Sequence, residues 1–336
     1  MKLRIGLALA ALLLANAGGV GAETPEPRLL IIDDDVGMMK ELVRKAGSFQ
    51  NPWLKITDPD GGVEIIYALR EPGIQLLGIT CAMGCSTTDV CMASVKKILE
   101  LTGRTEVPLL RGASSPADLG QETEASRFII DTVMSRPGQV EIVATAPLTN
   151  IATALMLEPG LARNWKTLHM ATGEFWGALG KFSDGARFGQ MSGYKDLNIN
   201  VDVAAVRYVL EHGGDRILVY PNEIMDQAFL TKSDLAALKK DGTPLSKWAA
   251  SELSAMTAIE SLIMPGFALH GVIGLAVALD PGLAEPPEML RFQLAERSPG
   301  GFYFALGPDP NLPPRPVFLK LRNAQTLEQR TMDRCR

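Results

Sequence analysis

The amino-acid sequence predicts a single α/β domain: a mostly parallel central sheet with helices on both faces. Three observations carry this. Short apolar runs suited to strands buried on both sides (residues 28–32, 74–80, 107–110 and 140–144) alternate with stretches of helical length and pattern (63–69, 90–101, 125–135 and 148–157). Strand, helix and strand in succession at this spacing form βαβ units, whose crossovers impose parallel pairing. A chain of 336 residues, 46% apolar and 21% charged, can also bury a substantial core, which excludes collagen-like and disordered classes.

The chain opens on a segment that reads as a targeting signal. Lys2 and Arg4 give a cationic start, residues 5–17 an apolar run too short to span a bilayer, and Val20, Gly21 and Ala22 the small residues of a cleavage site. Cleavage after about Ala22 leaves residues 23–336 as the domain, two charges more negative than the −5 of the full chain. The expected location is periplasmic or secreted. An acidic chain offers no electrostatic footprint for nucleic acid or an anionic membrane, so the expected partner is a small molecule; a homo-oligomer is left open.

The first strand runs directly into Asp33, Asp34 and Asp35. Residues 167–170 and 216–220 read as further strands flanking a helix at 203–211. Residues 232–270 are mostly helical and are expected to close over the carboxyl edge of the sheet. In the last 50 residues, Pro286, Pro287, Pro313 and Pro314 with short β-like runs at 302–304 and 317–319 fit an irregular edge packed on the sheet. The acids at 223–226 read as solvated surface. Strand order does not follow from the sequence.

Ligands of open α/β sheets bind beyond the carboxyl ends of the strands, where loops and helix N-termini converge. At those ends stand the three aspartates, residues 80–85, and residues 145–150. No glycine-rich phosphate loop follows the first strand, and three carboxylates repel phosphate. They suit a hard cation such as Ca²⁺, which takes six to eight oxygen ligands, and three histidines leave little for a softer metal.

On these residues the chain resembles the inosine-uridine-preferring nucleoside hydrolase family. Ile31-Ile32-Asp33-Asp34-Asp35-Val36-Gly37 is similar to the first half of the family's Asp-x-Asp-Pro-Gly-x-Asp-Asp motif. Residues 72–80, 101–108 with Gly112, 145–152 with 157–159, and 196–202 resemble four further family segments in the same order. The resemblance covers about residues 29–281. It implies cleavage of the bond between ribose and a nucleobase. In that chemistry a Ca²⁺ held by aspartates and a threonine carbonyl binds the ribose hydroxyls and a water, an aspartate takes the water's proton, and a neighbouring group protonates the leaving base. By the same resemblance Asp35 is a metal ligand and the base, Asp33 the first acid of the motif, and Thr145 the carbonyl ligand. Asp60 is a metal ligand that also reaches the substrate, Asp196 and Asn198 bind the ribose, and His270 stands beside the leaving base.

The chain departs from the family pattern in named places. Residues 38–57 intervene before Asp58-Pro59-Asp60-Gly61-Gly62, so Asp60 falls on the first acid of the family's second pair and Gly61 on the second. Gly271 follows His270 where the family has a metal-binding aspartate. Cys85 and Gln190 stand in for asparagines near the ribose. Two missing carboxylates imply weak Ca²⁺ binding unless Asp58, Asp34 or the inserted residues replace them, and Gly271→Asp is expected to tighten it. A degenerate, non-catalytic member that keeps the cleft and binds a ribosyl or polyol ligand is the alternative.

Each residue also has a plainer reading. The strand-end acids could be solvated, His270 could be a core histidine, Thr145 and Asn150 could cap the following helix, and Asp196 and Asn198 could be loop caps. The insertion could be a surface excursion or a lid. Cys81, Cys85 and Cys91 allow a local bridge, most simply Cys85 to Cys91, while a thiol nucleophile has no histidine nearby in sequence. The chain lacks the two comparable βα halves of a two-lobed solute-binding protein. Mass spectrometry of protein expressed with its own N-terminus is expected to find a chain starting near Glu23; one still carrying Lys2 and Arg4 would contradict the signal reading.

Overall fold

Apolar side chains on both faces of the first strand require a layer on each side, and the computed structural model of the chain supplies two. It describes residues 26–48, 53, 55, 57–175, 196–297, 300–307 and 309–336, so the signal segment and Gln190 lie outside the described residues. The main sheet contains β1 (Arg28–Asp34), β2 (Ile74–Cys81), β3 (Leu109–Arg111), β4 (Val140–Ala144), β5 (Thr167–Met170), β6 (Ile217–Val219), β7 (Glu288–Leu290) and β8 (Arg315–Val317). Their order is β3-β2-β1-β4-β5-β6-β8-β7. Every neighbouring pair is parallel except β8 with β7 at the edge.

The helices are α1 (Lys40–Ala46), α2 (Asp60–Arg70), α3 (Thr88–Thr102), α4 (Glu124–Met134), α5 (Thr149–Leu157), α6 (Val203–His212), α7 (Lys232–Asp241), α8 (Pro244–Glu260), α9 (His270–Leu279) and α10 (Ala324–Cys335), with shorter turns between. Side chains alternate across a strand, so Leu30 and Ile32 of β1 enter the core shared with α2, α3, α7, α8, α9 and α10. Ile31 enters the opposite core with α4, α5 and α6. Both faces are covered, as an apolar parallel sheet requires.

Three expectations need correction. The helical segment 232–270 is two helices and a break, because Gly242 ends α7 in a left-handed conformation and Thr243 caps α8 through the Ser246 amide. Leu235, Leu238, Leu245 and Leu253 place it in the core on one face of the sheet, packed on α3 and α10, and its end, Glu260, with the following His270 reaches the carboxyl edge. The C-terminal region does form an edge, but a regular one: β8 and β7 extend the sheet as its outermost strands, and Phe292–Glu296 pairs with Phe302–Leu306 as a hairpin. Phe292 and Phe304 of that hairpin pack on Phe175. The strand expected at 317–319 lies at Arg315–Val317, and the chain ends in a further helix, α10, whose buried residues are Leu327, Thr331, Met332 and Cys335.

A polar island lies at the amino end of the sheet. Glu141 of β4, 2% exposed, accepts from His169 Nε2 at 2.9 Å, Lys166 Nζ at 3.0 Å and the Arg28 guanidinium. His169 Nδ1 continues to the Tyr220 hydroxyl at 3.0 Å, and Arg28 also bonds the Ala278 carbonyl at the end of α9. Burial raises the Glu141 carboxyl, but its three donors outweigh burial and hold it well below the usual range. Glu141→Ala is expected to cost about 3 kcal/mol in urea unfolding, by stranding Arg28 and Lys166 beside a buried histidine. A loss below about 1 kcal/mol would show that the cations simply rehydrate.

Candidate active site

The strand order reverses direction between β1 and β4: from β1 the chain builds outward through β2 and β3, and from β4 through β5 and β6 on the other side. The loops after β1 and β4 therefore diverge and open a crevice at their carboxyl ends. Asp33, Asp34 and Asp35 leave β1 there, and Thr145 leaves β4, its amide bonded to the Asp33 carbonyl at 2.9 Å. The insertion is a closed excursion at its base, because Thr57 Oγ1 donates to the Gly37 carbonyl at 2.9 Å. That clamp brings Asp58 and Asp60 back beside the aspartates of β1. Helix α1 lies within the insertion, and its first residue, Lys40, bonds Glu252 and Ser251 on α8.

Each acid is held differently. Asp33 Oδ1 accepts from Thr80 Oγ1 at 2.6 Å and Asn150 Nδ2 at 2.8 Å. Thr145 Oγ1 donates to Asp34 Oδ2 at 3.1 Å, and the Cys85 amide to Asp35 Oδ2 at 2.6 Å. The latter approach requires glycine at 84, where a Cβ would fall on the Asp35 carboxylate, 2.6 Å from Cγ. Asp60 Oδ2 accepts from the Gly271 amide at 3.0 Å, in the first turn of α9, where the helix dipole favours negative charge. Asp33 Oδ2, Asp34 Oδ1 and both oxygens of Glu64 are buried with no hydrogen-bond partner.

This packing of acids raises their pKa values. Burial, with Asp34 adding to it, pushes Asp33 up to about 7; burial and Asp58 push Asp34 to about 6, and burial and Asp58 push Asp60 to about 8. Burial first, then the neighbouring carboxylates, hold Asp35 and Glu64 well above their ordinary value. At the rim, His270 sits between two carboxylates, Nε2 2.8 Å from Asp226 Oδ1 and Nδ1 3.5 Å from Asp58 Oδ2. Burial opposes its charge, but Asp226 and Asp58 outweigh it and raise its pKa well above the usual histidine range.

The structure brings Asp35, Asp60, Thr145, Asp196, Asn198 and His270 into one crevice. Asn198 Nδ2 donates to the Thr145 carbonyl at 2.9 Å, and Asp196, which caps the turn Leu197–Val201 through the Ile199 amide, lies within the field of His270. Asp58, Asp60 and His270 could hold a metal between them, although both nitrogens of His270 already face carboxylates. Asn150 does not cap α5; it ties β1 to the ends of β2 and β3 through Asp33, the Cys81 carbonyl and the Ala113 amide.

Other expectations fail on geometry. The four cysteines are free, and Cys91 Sγ donates to the Asp34 carbonyl, so no Cys85–Cys91 bridge forms. Burial and the carboxylates of Asp35, Asp58, Asp60 and Asp34 push the Cys85 thiol well up, the opposite of a nucleophile's environment. Glu223 and Asp226 are not solvated surface: Glu223 is buried and accepts from the Phe175 amide at 2.8 Å, and Asp226 holds His270. The residue that sequence reasoning missed is Glu64. Its only signal was a charge in the apolar helical run 63–69, four residues after Asp60 and so on the same helix face.

Similarity to known proteins agrees with this arrangement. The family described as inosine-uridine preferring nucleoside hydrolase matches residues 56–301. The chain is similar to a probable uridine nucleosidase of Oryza sativa subsp. japonica, 27% identical over 212 residues, 54% of this chain and 60% of that protein. It is also similar to a pyrimidine-specific ribonucleoside hydrolase of Escherichia coli O157:H7, 23% identical over 257 residues, 68% and 78% of the two chains. The chain spans about three-fifths of the length of the rice relatives. Among solved structures, a purine-preferring ribonucleoside hydrolase from Gardnerella vaginalis shares the fold with a TM-score of 0.72 at 20% identity, covering 92% of this chain and 98% of that one. A match across residues 56–301, with the acids, Thr145 and His270 gathered at one strand switch, places the chain in the inosine-uridine preferring nucleoside hydrolase family.

Proposed function

We propose that the protein is an exported nucleoside N-ribohydrolase that cleaves the ribose-base bond with the help of a divalent cation, Ca²⁺ in this reading. The observation that carries the reading is the set of buried carboxylate oxygens without partners beside Asp35 and Asp60. Burying unpaired anionic oxygens costs several kcal/mol each unless a cation offsets them, and an all-oxygen donor set fits a hard ion. When bound there, such an ion offsets the carboxylates, brings Asp35 into its ionised form, and polarises a water and the ribose hydroxyls.

The chain's own residues then supply the rest. Asp35 Oδ2 is fixed by the Cys85 amide, which holds the carboxyl in place to take a proton from the attacking water. As the water's oxygen bonds the anomeric carbon, the C1′–N bond breaks and its electron pair leaves with the base. His270, kept protonated by Asp226 and Asp58, can give its proton to the departing nitrogen. Asp196 and Asn198 flank the ribose in this reading, Asn198 also holding the Thr145 carbonyl. The relatives differ in the base they are named for, pyrimidine in one and purine in another.

Ribose release from inosine and uridine tests the function. The wild type is expected to turn over in Ca²⁺ and stop in chelator. Asp35→Ala is expected to lose at least the roughly 10²- to 10⁴-fold that a general base contributes. Folded protein that releases no ribose from any nucleoside in Ca²⁺ would favour the non-catalytic, ligand-binding alternative.

A pH dependence follows from the same acids. Asp34, Asp33 and Asp60, at about 6, 7 and 8, bind protons in the metal-free folded state more tightly than in the unfolded chain. Raised folded-state values mean that the contribution of these three groups to metal-free stability is fully present below their ordinary carboxyl value of 3.8 and is lost as pH climbs from there through about 8. The Tm in chelator should fall over that window while the Tm in Ca²⁺ falls less. A chelator Tm that stays flat or rises would show that these carboxyls are not forced together.

A further inference from the structure

The two glycines at family metal positions are not empty places. A Cβ at Gly61 would fall on the Asp34 carboxylate, 2.6 Å from Cγ, and a Cβ at Gly271 would fall on Glu64 Oε2, 3.2 Å from Cδ. Each glycine makes room for a carboxylate that arrives from elsewhere in the chain. We propose that Asp34 and Glu64 are ligands of the cation, replacing the carboxylates missing at 61 and 271. The proposal rests on the cation-dependent reading above and adds to it the identity of two ligands.

Glu64 carries the argument furthest. It is 0% exposed, beside Val63, Ile65 and Ile66 in the middle of α2, and neither of its oxygens has a hydrogen-bond partner. The charges that act on it are the carboxylates of Asp34, Asp60 and Asp35, with the Thr145 hydroxyl the polar group that moderates them. That hydroxyl has one proton, and its hydrogen bonds reach the Asp33 carbonyl and Asp34 Oδ2. A structural glutamate at such a place needs a donor, as Glu141 shows with Arg28, Lys166 and His169. Glu64 stands four residues after Asp60, so α2 presents both carboxylates on one face toward the end of β1. The extra methylene of glutamate lets it reach from α2 the place that an aspartate on α9 would occupy. Asp34 Oδ1 is likewise buried and unpartnered, leaving it free to ligate while Oδ2 is steadied by Thr145. Adding a carboxylate with Gly271→Asp would therefore not tighten the site, because Glu64 already fills that space.

Calorimetric titration with Ca²⁺ of wild type, Glu64→Gln, Asp34→Asn, Gly271→Asp, Glu64→Ala and the exchange variant Glu64→Ala/Gly271→Asp decides it. Each of the four substitutions at Asp34, Glu64 or Gly271 alone is expected to weaken Ca²⁺ at least about tenfold, and the exchange variant to recover most of the loss. The Tm in chelator should hold or rise in Glu64→Gln, since the side-chain amide stays neutral at every pH and can donate to the acids around it, whereas the Ca²⁺-induced rise in Tm should shrink. Wild-type affinity in Glu64→Gln overturns the assignment, as does wild type that binds no Ca²⁺. Ribose release by the wild type is scored separately. Hydrolysis with unchanged Ca²⁺ affinity in Glu64→Gln removes the ligand assignment and leaves the function standing. No hydrolysis with a tenfold weaker Glu64→Gln does the reverse.

Discussion

Several carboxylates buried at the end of one strand repel one another, and the surroundings of the crevice are organised around that repulsion. Thr80 and Asn150 hold Asp33, Thr145 holds Asp34, a backbone amide holds Asp35, and the first turn of α9 holds Asp60. These are neutral donors. They orient the acids without cancelling their charge, and the oxygens they leave bare are the ones a hard cation would take. His270 is the positive side chain facing Asp58 and Asp226, and it stands at the rim, 21% exposed, where a leaving group could meet it.

Two buried glutamates, one on β4 and one on α2, show how structure and function separate. Glu141 and Glu64 are both almost fully enclosed. Glu141 is ringed by three cationic or histidine donors and ionises readily; Glu64 is ringed by acids and resists ionisation. An evenly paired buried charge explains itself as packing. An unpaired one requires something further, and here the crevice beside it supplies the candidate.

The insertion between the two halves of the acidic motif shows how a chain can lengthen without moving its site. Thr57 and Gly37 close its base, Met38 is buried against Gly62, and Lys40 anchors α1 to α8. The entropy of closing such a loop grows only slowly with its length, so a clamp at its mouth suffices to keep Asp60 in register with Asp35.

Much of the fold was legible in the sequence, because strands buried on both faces must be apolar throughout and the helices that cover them must repeat with their own period. Residues 140–144 and 167–170 were bounded correctly for that reason. The strand-end acids were legible too, since polar residues immediately after a buried strand lie at the carboxyl edge. Strand order, the entry of Arg315–Val317 into the sheet and the break within 232–270 depended on long-range packing that no local pattern encodes. The same holds for Glu64. In sequence it is one charge on a helix, and Gly61 and Gly271 are two absences. Only the packing of α2 against α9 and the end of β1 sets a carboxylate over each glycine, because which side chain fills a space depends on what surrounds it in three dimensions and not on what precedes it in the chain.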